Sequence, residues 1–401
     1  MTERIYYDAA YLREFDATLL EVLTVEGRRA AILDRTAFYP TSGGQPFDTG
    51  TLGGARVIDV IDRDDGVVLH VVEGEVAPGS VHGRIDWDRR FEHMQQHTGQ
   101  HVLSAAFDRV AHARTESFHL GTASATIDLA FEVSASQIAA AERLANDVVW
   151  ENRPVRVRFV DAVEAGKLPL RKDPARTGRL RIVEVEDFDL SACGGTHVSQ
   201  TGAIGNIDVD AFERFRGGTR VQFRCGVRAL QGYRALRDGM AAAGRQLSTG
   251  ALDVPAAIDR LQSENREARR RMVDLQERLA RHEASALAAR ATAWKEWSIV
   301  LAALEGWDAN GVKAIATGVA SQPRHAAILV AGPPPSLVVV ARAADVGIDA
   351  SGIVKALTAR FGGKGGGRPE LAQGGGLKAS PDEVLAAART LLETQNSEFR
   401  T

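Results

Sequence analysis

The segments His97-Thr98-Gly99-Gln100-His101 and Cys193-Gly194-Gly195-Thr196-His197 hold the side chains of this chain best suited to do chemistry together. If residues 89 to 111 form a helix, His97 and His101 stand one turn apart and project from one face, so both imidazoles reach a single cation. The second segment follows a strand-like run, Leu180 to Glu186. Its two glycines allow a sharp backbone turn that returns Cys193 and His197 to one point. Either pair alone is a common pattern on a protein surface. Together, in a chain of 401 residues with two Cys and ten His, they predict one site of three imidazoles and a thiolate, a donor set that suits zinc. His93, a turn before His97, competes as a ligand by spacing but reads better as the supporting end of the same helix face.

The elements that must position these groups follow from pattern. Residues 1–85 read as a small β-barrel, with strand-length runs at Ala30 to Leu33, Arg56 to Ile61 and Val67 to Val72 separated by Gly- and Asp-rich turns. Within it, Phe38-Tyr39-Pro40-Thr41-Ser42-Gly43-Gly44-Gln45-Pro46 is a loop. Its glycines let backbone approach a ligand, and the Gln45 amide offers a donor and an acceptor. Residues 86–228 read as an α+β domain with the metal site where helix meets sheet. It contains strands near Ala123 to Leu129 and Val155 to Val160, a helix opened by Ser134 with Gln137 three residues on, and a closing hairpin between Ile204 and Arg224. Cys225 is read as a small buried residue.

Residues 229–297 carry no strand signal. Ile258, Leu261, Asn265, Ala268, Met272, Leu275, Leu279, His282, Ala286 and Ala289 recur three and four apart, the seam of a coiled coil or long helical hairpin. About thirty-five residues of such helix would span roughly 50 Å. The arginines at 266 and 269–271 are interleaved with acids and read as a solvated face. Residues 298–401 form an α/β unit with a Gly-rich run from Phe361 to Gly376, in which Lys364, Arg368 and the backbone of Gly365 and Gly366 are the candidate cradle for phosphates.

Composition sets the limits. Apolar and charged fractions of 44% and 25% are those of a soluble globular chain, and its length calls for two to four domains. A net charge of −3 gives no global nucleic-acid signal, so any such partner must meet a local basic surface. Two Cys, one a predicted ligand, exclude a disulfide scaffold. With no apolar signal core at the start and no run of membrane-span length, a cytoplasmic location with no membrane partner is expected.

The Ser-Gly-Gly-Gln loop, the His-x-x-x-His helix, the Cys-Gly-Gly-Thr-His segment and the Gly-Gly-Lys-Gly-Gly-Gly-Arg-Pro-Glu-Leu-Ala-Gln stretch resemble, in that order, the editing and C-terminal parts of alanyl-tRNA synthetase. With no room for the synthetase's preceding domains, the chain is similar to the long form of the freestanding alanyl-tRNA editing proteins, the AlaX group. The helix and Cys-His motifs alone are shared with the editing domain of threonyl-tRNA synthetases. The resemblance implies an α+β multidomain enzyme that hydrolyses, without ATP, the ester of serine, and of glycine, on mischarged tRNA for alanine. It implies zinc on His97, His101, Cys193 and His197, and a C-terminal unit that holds the tRNA body. A homodimer through the helical segment is also expected. A hydroxyl residue selects serine in such a pocket, with Thr115, Ser117 and Thr126 as candidates and Ser117 preferred. The alternatives are an editing factor for mischarged threonine-specific tRNA and a zinc-stapled tRNA-binding module without activity.

Overall fold

The computed structural model describes residues 1–171 and 179–394, and the chain divides into two compact units, Met1–Gln246 and Leu247–Thr401. Among the described residues no helix is long and apolar enough to cross a membrane. Eight strands open the first unit: β1 (Glu3–Arg4), β2 (Glu14–Val25), β3 (Arg28–Leu33), β4 (Arg35–Thr36), β5 (Gly50–Leu52), β6 (Ala55–Asp62), β7 (Val68–Glu73) and β8 (Gly79–Ile85). Six of them close into a barrel in the order β2-β3-β7-β6-β5-β8, which leaves no free sheet edge. Alternate positions point inward, so Phe15, Leu33, Phe38, Leu52, Val57, Val60, Val81 and Ile85 fill the interior. The β2–β3 hairpin turns on Glu26 and Gly27, both at positive φ (49° and 76°), the geometry that matches the twist of the flanking strands.

Helix α1 (Trp87–Ala111) is the spine of the rest of this unit. It is buried around most of its circumference from Arg90 to Phe107, so it lacks the polar stripe of a surface helix. Around it lie β9 (Thr115–Leu120), β10 (Ala125–Leu129), α2 (Ala135–Trp150), β11 (Val155–Val160), the single turn α3 (Ala162–Ala165), β12 (Leu180–Val185), β13 (Asp189–Ala192), β14 (Ile207–Phe215), β15 (Gly218–Cys225) and α4 (Gly226–Gln246). The strands form a four-stranded sheet, β14-β15-β10-β9, and a three-stranded sheet, β11-β12-β13. Helix α2 opens with the reciprocal Ser134–Gln137 capping box. Cys225 is fully buried, and a Cβ at Gly99 would strike its sulfur, so this glycine is what lets β15 press against α1.

In the second unit α5 (Val254–Ala288) is followed by β16 (Thr292–Trp294), β17 (Trp297–Leu304), α6 (Ala309–Ala320), β18 (His325–Ala331), β19 (Ser336–Arg342), α7 (Ala350–Phe361), β20 (Lys364–Arg368), β21 (Leu371–Leu377) and α8 (Pro381–Thr394). The sheet runs β16-β17-β18-β19-β21-β20, with β17 and β18 parallel and the other neighbours antiparallel. One face packs on α6 and the end of α5, the other on α7 and α8.

One expectation is corrected by this fold. The stretch 229–297, expected to be free of strands as a coiled coil or long helical hairpin, holds the helices α4 and α5, parted near Ser248 at a positive φ of 52°, but ends in strand β16. Within α5, Ala280, Ala284 and Ala288 are buried against α6, whereas Ile258, Leu261, Met272, Leu275 and Leu279 are exposed. The Gly-rich run is regular structure. It is the hairpin β20–β21 at the sheet edge, with Gly365 paired to Gly374 and Gly367 to Ala372. A side chain at Gly365 would meet the backbone of β21 and Val354 of α7, so the glycines allow close packing of strand and helix. Lys364 and Arg368 lie exposed on the edge strand.

Candidate metal centre

Helix geometry sets His97 and His101 on one face of α1, and the loop after β13 brings Cys193 and His197 to them. That loop is clamped by Arg181 of β12. Its Nη1 donates to the carbonyls of Cys193 and Gly195 (2.8 Å each), and its Nε donates to the carbonyl of Tyr7 (3.1 Å). The loop before β5, which holds Gln45, is fastened to α1 by a fully buried ion pair between Asp48 and Arg90, and Arg90 also donates to the Ala37 carbonyl at 2.6 Å. Gly195 is required by proximity and not by a left-handed φ. A Cβ there would collide with the His97 ring.

The candidate donor atoms of His97, His101, Cys193 and His197 all lie within 4.8 Å of one another. Nε2 of His97 is 3.3 Å and Nε2 of His197 3.4 Å from Cys193 Sγ. In each ring Nδ1 is engaged by the protein: His97 with Gln45 Oε1 (2.8 Å), His101 with Asp189 Oδ2 (2.9 Å) and His197 with Thr98 Oγ1 (3.2 Å). The amide and carboxylate oxygens only accept, so they fix a proton on Nδ1 of His97 and His101. This is the outer support characteristic of metal-binding histidines. Burial alone would raise the Cys193 thiol, but His97 and His197 draw it well below its usual range, favouring thiolate. Burial lowers His101, yet its bonds to Asp189 and Cys193 prevail and hold it up at about 9. Asp189 is itself drawn to about 2, against its burial, by His101 and Arg171. The thiolate with the imidazole nitrogens turned toward it is a donor set that fits a soft or borderline cation.

The predicted residues fall in three places. The four predicted ligands converge. Gln45 is fully buried, its Oε1 also accepting from the Thr196 backbone (3.1 Å) and its Nε2 donating to Thr196 Oγ1 (2.8 Å), so it stands behind His97 and does not offer its amide to a ligand. Ser117 and Thr126 stand on the face of the β9–β10 pair away from α1. Ser117 pairs with Asp128 and Thr126 with His119, whereas Phe118, their alternate, lies 5.4 Å from His97. Ser117 donates to Asp128 (2.5 Å). Only Thr115, beyond a bulge, turns its hydroxyl to α1, donating to Ser104, which also accepts from Gln100. Lys364, Arg368, Gly365 and Gly366 belong to the other unit. Sequence reasoning missed Asp189, Thr98 and Arg181. A search for an acceptor to serve each ligand imidazole would have pointed to the acidic run just before Cys193.

The family described as the threonyl and alanyl tRNA synthetase second additional domain matches residues 180–220, the DHHA1 domain matches 297–395, and tRNA synthetases class II (A) match 8–89. The alanyl-tRNA editing protein AlaX-L of Pyrococcus horikoshii is 31% identical over 97% of this chain and 98% of its own length. The chain belongs to this family of alanyl-tRNA editing proteins. Alanine–tRNA ligases are also similar, that of Pyrococcus abyssi at 33% identity over 93% of this chain and that of Halorubrum lacusprofundi at 34% over 98%. The chain spans less than half of these ligases, 42% and 44% of their lengths. The C-Ala domain of Aquifex aeolicus alanyl-tRNA synthetase aligns to 26% of the chain and 95% of its own length, with a TM-score of 0.24 and 17% identity. Within the editing-protein family, the segment from β12 to β14 that bears Cys193 and His197 is the part matched by the second additional domain.

Proposed function

We propose that the chain is a trans-editing hydrolase that removes serine, and glycine, from mischarged tRNA for alanine at a zinc centre on His97, His101, Cys193 and His197. The observation that carries this reading is the convergence of three imidazoles and a thiolate, each ring supported at Nδ1, in a chain that matches an AlaX-L protein nearly end to end. A bound zinc would supply a Lewis acid that polarises or orients the ester. Gln45, Asp189 and Thr98 hold the imidazoles in place for it. With Gln45 buried and engaged on His97 and Thr196, placing the attacking water falls to the centre or to the substrate's own hydroxyl. For serine selection we propose Thr115 with Ser104 and Gln100, the hydroxyl group on the α1 side of the sheet. A site that bonds the serine hydroxyl discriminates against alanine, which a pocket for a small apolar side chain does only modestly.

The substrate places the enzyme in the cytoplasm with charged tRNA as partner. Lys364, Arg368 and the outer backbone of β20 form the proposed phosphate contact, and the exposed apolar seam of α5 is the proposed dimer contact, as a coiled coil. The test is deacylation by the purified chain of seryl-, glycyl- and alanyl-tRNA for alanine, with seryl-tRNA for threonine alongside. The reading predicts hydrolysis of the first two and sparing of alanyl-tRNA. Preference for the threonine-specific tRNA, or no hydrolysis of any, would overturn it.

A further inference from the structure

Strand β17 runs from Trp297 to Leu304, but its outer neighbour β16 pairs only with Trp297, Ser298 and Ile299. From Val300 onward the outer edge of β17 has no strand partner, so its backbone groups there are open to a ligand. A cavity of about 340 Å³ lies along this edge. Its floor is apolar, with Ile299 and Leu301, and Thr292 and Trp294 of β16 stand at its side. Arg290, just past the end of α5, and Arg389 of α8 complete the lining. We propose that this cavity, within the second unit and separate from the metal centre, binds a free nucleoside monophosphate, its base against Trp294 and its phosphate between Arg290 and Arg389.

The charge argues for a terminal phosphate. Among the described residues the Arg290 guanidinium makes no hydrogen bond or ion pair. Arg389 meets only Glu393, at 3.9 Å and with both side chains 60% exposed, a pairing that contributes little. No acidic residue lines the cavity, so two guanidiniums face it without a counter-charge inside. A phosphate monoester, carrying about −1.5 to −2 near neutral pH, matches both and accepts from each fork of N–H donors. A carboxylate, or a diester phosphate within an RNA chain, brings a single charge and leaves one guanidinium unmatched. The flat wall argues for a base. Trp294 is half-buried in a tight hairpin turned by Lys295 at a positive φ of 56°, and the Trp297 ring 6.4 Å away steadies it. An indole so held is a surface on which any base stacks. The volume is at the small end of ligand sites and suits one nucleotide rather than an oligonucleotide.

The experiment is isothermal titration of the full chain with AMP, repeated with adenosine, with inorganic phosphate, and with AMP in the presence of full-length tRNA for alanine. AMP is expected to bind one site per chain, about ten-fold or more tighter than adenosine or phosphate. Arg290→Ala and Arg389→Ala, both at exposed side chains, are each expected to weaken AMP about ten-fold, the loss of one charge-assisted contact. Trp294→Ala should weaken it by a similar factor, and Trp294→Tyr, which keeps a stacking ring, should recover most of that loss. Saturating tRNA should leave AMP binding in place. Absence of saturable AMP binding, an affinity that neither arginine variant moves, or phosphate binding as tightly as AMP would each overturn the proposal. Displacement of AMP by tRNA would overturn it too, making the cavity an RNA contact.

Discussion

Asp189 is 88 positions from His101 in sequence and 2.9 Å from its Nδ1. Its carboxylate is held in turn by Arg171 (2.7 Å) and Ser191 (3.0 Å), so one ring orientation is fixed by three partners. Replacing Asp189 by Asn removes the charge and turns one of the two acceptor oxygens, which face His101 and Arg171, into a donor. Metal affinity, measured by competition with a chelator, should fall about 10- to 100-fold, and an unchanged affinity would mean that His101 is not a ligand. A second residue-scale effect lies in the barrel. His70 is fully buried between Thr36 Oγ1 (2.7 Å) and the Ala31 carbonyl (3.1 Å), and burial pushes it down to about 4, against which the Ala31 bond acts only partly. The unfolded chain takes up this proton near 6.5 and the folded one only near 4. Stability is therefore full above 6.5 and falls as pH drops from 6.5 to 4, by on the order of 3 kcal/mol. Denaturant unfolding at pH 7 and pH 4.5 should reveal that loss, and His70→Gln should reduce it. The His/Cys cluster was legible in the sequence because spacing on a helix and around two glycines is local. Asp189 was not, because its role exists only once β13 lies against α1.

At the scale of elements, the loop after β13 and helix α1 approach so closely that position 195 tolerates no side chain. Gly195→Ala would drive a methyl group into the His97 ring and to 3.0 Å from Gln45 Oε1. The variant should keep its secondary structure by circular dichroism but lose most of its metal. Full metal content in Gly195→Ala would show that His97 can be displaced without consequence. Which elements could be read in advance also depends on local signals. The barrel strands, α1 and the capped start of α2 all carry periodic apolar residues or a cap, and each forms where the pattern placed it. The hairpin β20–β21 was not legible as strands because glycines give no alternation, although close contact with Val354 of α7 is what demands them. The heptad seam continues past the point where α5 turns a different set, Ala280, Ala284 and Ala288, to its neighbours. Small alanines are weak signals in a hydrophobic pattern, and Ser248 is not a residue type that announces a break.

For the whole molecule, the boundary after Gln246 separates a unit with the His/Cys cluster from one with the β20–β21 edge. Each has its own core, so a chain ending at Gln246 should fold, bind metal and hydrolyse saturating substrate. Losing the proposed phosphate contacts should weaken binding of full-length tRNA about ten-fold or more, with a shallower dependence on salt. Filter binding of both chains at several salt concentrations checks this. Equal affinities would mean that the second unit does not hold tRNA. The proposed editing activity requires that the His/Cys cluster be where the ester is cleaved. The most direct measurement is single-turnover hydrolysis of seryl-tRNA for alanine by the full chain and by Cys193→Ala, each with its metal content determined. Rapid hydrolysis by the parent, with loss of both metal and activity in the variant, is the predicted result. A Cys193→Ala chain that cleaves the ester at the parent's rate would contradict it.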